Sequence, residues 1–586
     1  QLNARNVHPS YFGNIDPLDT PEGDNVGVVQ QLTVDAYITS ARGLIAKKDI
    51  TNTENSGLLS TSVSMIPFVE ANEGARVLMA ANQSRQMLPL KNPQPPVIQS
   101  GYESVLTNSL SNSFIKKAPC TGKVSEVTKD SITVTCKNGK KNKVDITPVH
   151  LKSGSGKDTL STFSPSVKKG QSIKENKVIA EGGCISGGTI SLGRTLAATY
   201  MTYKGYNFED GTVINERLVT EEQLTSLHGI SIESVVSSKD RILKIIDIGS
   251  KTKKGETIFR KTIGEIEELI GIGDEEDEGI ELSEGQLIQK SPGGTVVDIE
   301  VYSNLAESKF PDLKTLIDRT NKKYGKPPKE KFTIRGVPIK GIVIKFEIEQ
   351  ELTIGLGDKL CNRFGNKGII SLIEKDSLMP KTPWGETVDI IFSPLGVLGR
   401  MNIGQMYELY TALISKKLAD MIVETKSQSQ VSKIMKTVLN KLDTSPNQKF
   451  SNKLVSNITK LSKSQFGEMV SQIKNTGFVP IIIPPFKSPT YKNIGAALKV
   501  MGLKTGYHLK LPEFNTKTKS PVPFGYTYIS KLEHLGAEKI HTRSTGPTEG
   551  KTHQPLAGKR REGGQRVGEA DTYALIGYNC PKLLAE

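Results

Sequence analysis

A change of hydrophobic period near Arg400 does more than any other feature to narrow the folds open to this chain. Upstream, apolar residues come in short strand-like runs, Ser131–Cys136 and Gly293–Tyr302 among them, separated by loops rich in Lys, Gly and Ser such as Lys152–Asp158. Downstream, Met406, Leu409, Tyr410, Leu413, Ile414, Leu418, Met421 and Ile422 recur at the spacing of one helix face. Asn402 and Gln405 stand there as an N-cap and its N3 partner. A second helix is expected over Glu73–Met87, and two exposed helices over Ser427–Ser471. A Pro-rich boundary at Pro480–Pro489 leads into a basic C-terminal stretch, and no internal repeat is found. The fold class is mixed α+β and multidomain, and 586 residues supply enough length for about four domains.

Charge bears on partners. With 77 Lys plus Arg against 62 Asp plus Glu, the chain carries +15, which favours a polyanionic partner or an anionic substrate. The five cysteines, Cys120, Cys136, Cys184, Cys361 and Cys580, contain no C-x-x-C pair, so no zinc site is expected and the thiols read as reduced and mostly buried. The apolar run Gly477–Phe486 is broken by three prolines and is too short to span a bilayer, and the first residues lack the apolar core of a signal peptide. These features imply no membrane partner and a cytoplasmic location. The opening at Gln1, in mid-motif, suggests one piece of a larger machine.

No G-x-x-x-x-G-K-[ST], H-E-x-x-H or G-x-S-x-G with triad partners occurs, which argues against a stand-alone P-loop ATPase, zinc protease or serine hydrolase. The acidic stretch Asp274–Gly279 begins like a calcium loop but has Gly285 where the bidentate Glu is needed, so it reads as a solvated charge run; Gly273–Gly279 and the Lys-rich Lys322–Lys331 both read as exposed loops. In Gly355–Gly368, four glycines allow backbone N–H groups to face one concavity while Lys359, Arg363 and Lys367 supply charge; this suits phosphate oxygens, although such a loop taken alone is more often a solvated basic turn. Arg400 precedes the best helix, as a phosphate ligand or a surface residue. Glu209 and Asp210 would face opposite sides of a straight strand, so a shared Mg²⁺ site needs a bend, which Gly211 permits; the alternative is a plain turn. The run Lys539–Gly546, then Lys551 and Gly558–Arg566, combines cations and glycines as sequence-independent nucleic-acid contacts do.

Seven colinear blocks carry a resemblance: VHPSYFGNIDPLDTPEGDNVG from Val7, SMIPFVEANEGARVLMAANQSRQMLP from Ser64, KGYNFEDGTVINERLV from Lys204, GDKLCNRFGNKGIIS from Gly357, DIIFSPLGVLGRMNIGQMYE from Asp389, VPFGYTYISKLEHLGAEKIHTRSTGP from Val522 and HQPLAGKRREGGQRVGEADTYAL from His553. Together they resemble the C-terminal half of the β, second-largest, subunit of multisubunit DNA-dependent RNA polymerases. The resemblance implies a double-psi β-barrel core, a flap-like insertion and a C-terminal helical and clamp-anchoring region. It divides the chain into 1–105 (hybrid-binding and active centre), 106–217 (barrel and small β region with Asn207–Asp210), 218–341 (flap-like), 342–404 (barrel return), 405–480 (helical) and 481–586 (basic anchor). One barrel is expected to draw on Leu44–Val219 and Ile342–Gly399.

By match to the family's motifs, Arg76 and Arg400 contact the incoming triphosphate, with Asn82 nearby. Glu209 and Asp210 lie by the second, nucleotide-borne Mg²⁺. Lys359, Lys367 and His541 hold the RNA 3′ end or initiating nucleotide, and Arg363, Arg543, Lys559 and Arg566 line the nucleic acid. The catalytic Mg²⁺ belongs to an aspartate triad, NADFDGD, of a β′-like subunit, and that string is absent here. Implied partners are an N-terminal β fragment, β′-like chains, a promoter-specificity factor, template DNA, RNA and nucleoside triphosphates. Phe364 replaces the His of the family's GRHGNKG, and Ala570 and Asp571 replace a Met and a Glu of bacterial β. A β divided in this way resembles the split subunits of giant bacteriophage polymerases, which implies a host bacterial cytoplasm. A regulatory nucleic-acid binder on the same fold, or a single-chain polymerase, are the competing readings; retention of the charged set opposes the first and absence of the triad the second.

Overall fold

A computed structural model describes residues 5–47, 56–151, 159–237, 239–262, 280–283, 286–305, 313–325, 327, 332–334, 337–338, 340–425, 427–445, 448–580 and 582–583. The chain forms two compact units, Gln1–Glu533 and His534–Glu586.

At the centre of the first unit is a closed six-stranded barrel. Its strands are β1 (Arg194–Tyr200), β2 (Gly211–Asn215), β3 (Lys359–Cys361), β4 (Lys367–Glu374), β5 (Ile390–Phe392) and β6 (Phe524–Lys531), in spatial order β1-β5-β2-β4-β3-β6. The β1–β5 and β2–β4 pairs are parallel, and the other pairs are antiparallel. Leu196, Ala198, Ile214, Leu360, Ile370, Ile390 and Ile529 form one buried cluster, while their strand neighbours Ala197, Val213, Ile391, Phe524 and Tyr526 join a second. Strands buried on both faces lose the alternation that marks a half-exposed strand. For that reason β6, all eight of whose residues are buried, is invisible as a strand in the basic C-terminal third. Residues 481–586 are therefore not one region, because 524–531 close the barrel and the chain divides after Glu533.

Two β-rich insertions leave the barrel scaffold. Residues 115–182 form a three-stranded and a four-stranded sheet over Val124, Ile132, Val134, Ile146 and Ile179. The run Ser131–Cys136 is a strand, as its pattern predicts. The expectation of reduced thiols fails here: Cys120 and Cys136 are joined by a disulfide with Cα atoms 5.7 Å apart. The cause is register, since antiparallel pairing sets Gly122 against Cys136 and delivers Cys120 to its side. Cys361 and the half-buried Cys184 and Cys580 are free. Between β2 and β3, the long strands Ser226–Ser237, Gly341–Leu352 and Gly294–Ser303 pair in one sheet with Lys251–Thr252, next to a smaller sheet and the helix Lys314–Tyr324, around a core of their own. The expected loops 152–158 and 273–279 lie outside the described residues, and Lys322 and Lys323 end a helix rather than begin a loop.

Helices cover the barrel. Helix α1 (Gly74–Ser84) buries Val77, Ala80 and Ala81; α2 (Leu395–Arg400) is short; α3 (Gly404–Thr425) runs past β6. Three helices, Gln428–Leu442, Lys449–Thr459 and Lys463–Thr476, stand where two were expected. They are not simply exposed, since Val431, Met435, Val438, Ile458, Phe466 and Ile473 enter the main core. Among the described residues, no helix is long and apolar enough to cross a membrane.

Candidate functional site

The segment from Tyr203 to Asp210 is a series of tight turns leading into β2, with N–H bonds from Tyr206 to Tyr203, Phe208 to Gly205 and Gly211 to Phe208. The chain bends at Glu209 itself, whose φ is +50°. Gly211 serves the turn differently from expectation: a Cβ there would sit 2.5 Å from the Tyr206 carbonyl oxygen, so it permits a close backbone approach rather than the bend. Lys204 anchors the turn from below. Its Nζ donates to Glu374 Oε2 at 2.7 Å and pairs with Glu513. Burial works against its charge, but these two carboxylates outweigh that effect and leave its pKa raised. Glu209 and Asp210 are both exposed to solvent.

Asp210 pairs with the guanidinium of Arg400, the last residue of α2. Its backbone oxygen accepts the N–H of Ile369 in β4, at 2.9 Å. On the β3–β4 hairpin the register sets Lys359 against Ile369 and Cys361 against Lys367. Leu360 and Ile370 point into the barrel cluster, so Lys359 and Lys367 belong to the outward face. Both are half-buried. Arg76, in the first turn of α1, reaches the same loop through its backbone, because Gly365 at φ +72° lies where a Cβ would be 2.5 Å from Arg76 O. The Arg76 guanidinium bonds Met79 Sδ at 3.0 Å through NH1 and leaves a buried Nε without a hydrogen bond. Arg76, Glu209, Asp210, Lys359, Lys367 and Arg400 are thus gathered about one barrel end.

Two predicted residues have other duties. Asn82 donates to Thr20 O and accepts from Arg85, which is itself paired to buried Asp19. Arg363, expected on nucleic acid, is an interior residue. Its NH2 donates to Glu408 Oε1 at 2.5 Å and to Ile98 O at 2.7 Å, Glu103 lies 3.6 Å from NH1, and the guanidinium lies 5.2 Å from the Tyr528 ring centroid. Its side chain is 9 % exposed. The turn between β3 and β4 sends it inward while the lysines on either side face outward.

Uncharged residues hold the site together. Asn362 Oδ1 accepts the N–H groups of Phe364 and Asn366, while Asn402 Nδ2 donates to Phe364 O. The capping box expected of Asn402 and Gln405 is not what forms: Gln405 Nε2 donates to Asn402 Oδ1 at 2.6 Å, and helix α3 begins only at Gly404. Phe364 is 1 % exposed and packs in the main core, where a His ring would have needed polar partners. Phe208 is 73 % and Leu398 79 % exposed, an apolar fringe on the turn and on α2. Cys361 is buried, which pushes its thiol pKa up to about 12 although Lys367 draws it down.

The second unit holds the remaining candidates. His541 Nε2 lies 2.6 Å from Gly563 O, Arg543 NH1 donates to Glu562 O at 2.5 Å and Lys559 Nζ to Glu538 O at 2.7 Å. Arg566 is exposed. Among the described residues no group of three or more His, Cys, Asp or Glu could hold a metal ion, so Glu209 and Asp210 form no closed cage.

Comparison with known proteins identifies the family. The family model described as RNA polymerase Rpb2, domain 6, matches residues 117–561, and RNA polymerase Rpb2, domain 3, matches residues 1–38. The chain is 28 % identical to a DNA-directed RNA polymerase subunit beta of Mycoplasma pneumoniae, covering 100 % of this chain and 48 % of that protein. It is 29 % identical to the subunit of the same name from Phaeodactylum tricornutum, over 100 % of this chain and 43 % of that one. It therefore spans about half the length of the curated relatives it matches. With most of its length matched by one family model, and a barrel end that gathers the motif residues, the chain belongs to the Rpb2, or β-subunit, family of RNA polymerases.

Proposed function

We propose that this chain is the C-terminal portion of the β subunit of a multisubunit DNA-directed RNA polymerase, a nucleotidyltransferase that acts in transcription, and that it completes the nucleotide site of that enzyme. The observation that supports this most is the contact between Asp210 and Arg400 beside Lys359 and Lys367, which joins motifs nearly two hundred residues apart into one charged surface. In this reading the six-stranded barrel is of the double-psi type and the 226–352 insertion is its flap. Arg400 and Arg76 meet the triphosphate, Lys359 and Lys367 the RNA 3′ end or initiating nucleotide. His541, Arg543, Lys559 and Arg566 contribute RNA and hybrid contacts from the second unit.

Two exposed carboxylates on a turn suit a hard cation reached through water, and the nucleotide-borne Mg²⁺ arrives as part of the substrate and neutralises its phosphate charge. Glu209 and Asp210 then orient that substrate, while Arg400 exchanges Asp210 for a phosphate oxygen. The catalytic Mg²⁺ is held by a β′-like subunit. Partners are that subunit, an N-terminal β fragment, a promoter-specificity factor, template DNA and RNA, in the manner of a divided bacteriophage enzyme within a bacterial host.

Reconstitution tests the reading. The chain alone makes no RNA, and activity appears when the N-terminal β and β′-like chains are added. In that assembly Arg400→Ala raises the nucleotide KM and lowers kcat, a loss of about 2–4 kcal/mol of transition-state stabilisation. Lys359→Ala impairs initiation from two nucleotides more than extension of a preformed hybrid, whose many phosphate contacts share the load. RNA synthesis by the chain alone, or wild-type kinetics at low nucleotide concentration for Arg400→Ala, refutes it.

A further inference from the structure

One buried amide sits at the crossing of the segments that carry Lys367 and Arg400. Gln405 is 0 % exposed. Its Oε1 accepts from Tyr200 Oη at 3.0 Å, from Asn362 Nδ2 at 3.0 Å and from Asn366 Nδ2 at 3.1 Å. Its Nε2 donates to Asn402 Oδ1 at 2.6 Å. One side chain therefore ties the end of strand β1, both asparagines of the β3–β4 turn and the start of helix α3. None of the four partners is a charged group. Asn366 stands at the edge of the network, half-buried, and its amide has two sides. With Nδ2 committed inward to Gln405, Oδ1 faces outward and meets Arg400 NH1 at 3.5 Å. The other terminal nitrogen of that guanidinium is the one on Asp210. Lys367 follows Asn366 directly in the chain, so the amide that orients Asn366 also fixes where Lys367 leaves the turn.

We propose that Gln405 is a positioning residue: through Asn366 it sets the guanidinium of Arg400 and the ammonium of Lys367 at a fixed mutual placement, so that triphosphate and RNA end are presented to one another in register. The inference rests on the reading that Arg400 meets the triphosphate and Lys367 the RNA end. Buried amides with every group engaged are suited to this task, because a rotation that spared one hydrogen bond would orphan another in a medium without water. A site held to within fractions of an ångström by neighbours that never touch substrate is what accurate phosphoryl transfer needs.

The test uses the assembled polymerase carrying Gln405→Met, Asn366→Ala, Arg400→Ala or the Asn366→Ala/Arg400→Ala pair, with nucleotide KM and kcat measured alongside the thermal midpoint of each purified chain. Gln405→Met keeps the length of the side chain and removes its polar groups; Asn366→Ala cuts only the outer link at a half-buried position and keeps the test open if the first variant folds poorly. Each single variant should raise KM by about fivefold to tenfold while Asn366→Ala leaves the midpoint near wild type. The pair should lose no more than Arg400→Ala alone, because both changes interrupt one line of action. Multiplicative losses in the pair, or a lowered midpoint with unchanged kinetics, overturn the inference and leave the functional reading intact. Wild-type kinetics for Arg400→Ala overturn the functional reading and the inference with it.

Discussion

Replacing Arg363 by Ala separates two roles for a cation inside a basic motif. Read in one dimension, Arg363 belongs with Lys359 and Lys367 on nucleic acid; in the fold it is 9 % exposed and faces Glu408, itself 2 % exposed, at 2.5 Å. Glu103 keeps its own donors, the N–H groups of Ser100 and Gly101, whereas Glu408 retains, among the described residues, the hydroxyl of Thr527 at 2.9 Å once the guanidinium is gone. Removing one partner of a buried ion pair costs about 3–5 kcal/mol, most of it the penalty of an uncompensated buried charge. Trp384, the chain's single tryptophan, lies 5.6 Å from the ring of Phe524 at the start of β6, so its fluorescence reports on the barrel. With a urea dependence of about 3 kcal/mol per molar, the Arg363→Ala midpoint should fall by roughly 1–1.7 M. Arg363→Met combined with Glu408→Gln should regain more than half of the loss, since removing both charges leaves no buried ion unpaired. A midpoint within about 0.2 M of wild type for Arg363→Ala, with nucleic-acid affinity reduced instead, would refute the reasoning.

Other outcomes follow from particular contacts. Peptide mapping without reductant should recover Cys120 linked to Cys136, and reduction should cost the 115–182 sheets about 3 kcal/mol, as a loop of 16 residues implies; two free thiols would contradict this. Cys361 should resist alkylation at pH 8 in the folded chain. Because burial raises that thiol from 9.0 to about 12, its contribution is fully present below the unfolded value and is lost as pH rises between the two, so the urea midpoint should decline from about pH 9 upward; a flat profile for wild type relative to Cys361→Ala would count against it. Gly365→Ala forces a side chain into positive φ and against Arg76 O, and should cost about 2 kcal/mol or more, read by Trp384; a change below about 0.5 kcal/mol would mean that the turn and α1 are not in contact.

What was legible in the sequence depended on how many faces of an element are wet. Helix α3 shows a period because Lys417 and Glu424 leave part of its second half exposed, although Thr411–Ser415 are buried in succession, and Ser131–Cys136 alternates because one face of its sheet is covered. Strands β1 and β6 carry apolar residues on successive positions, since one face fills the barrel and the other meets helices, so they resemble any short buried run. The disulfide left no mark in spacing, as only the hairpin register brings its cysteines together. At the site, family motifs identified Arg76, Glu209, Asp210, Lys359, Lys367 and Arg400 as neighbours, but not the uncharged Asn362, Asn366 and Gln405 that fix the turn, whose residue types are common in any loop or helix start.

Charge in the sequence and charge at the surface are different quantities here. Lys531 is 0 % exposed, donates to the carbonyls of Leu352 and Thr353 and lies 3.5 Å from Asp358; Lys261 is held by Asp240 at 2.6 Å with both side chains below 10 % exposed. Such cations cannot answer an approaching phosphate, because leaving their partners would strand a carboxylate or a carbonyl away from water. Arg400 is placed differently. Its partner Asp210 has a side chain 46 % exposed, so water takes over that carboxylate the moment the guanidinium turns away, and the pair is worth little while closed. An ion pair that opens at small cost is what an anionic substrate requires of the residue that receives it. The distinction between Arg363 and Arg400 therefore lies in the solvation of the carboxylate each would leave behind, and only the folded chain supplies that.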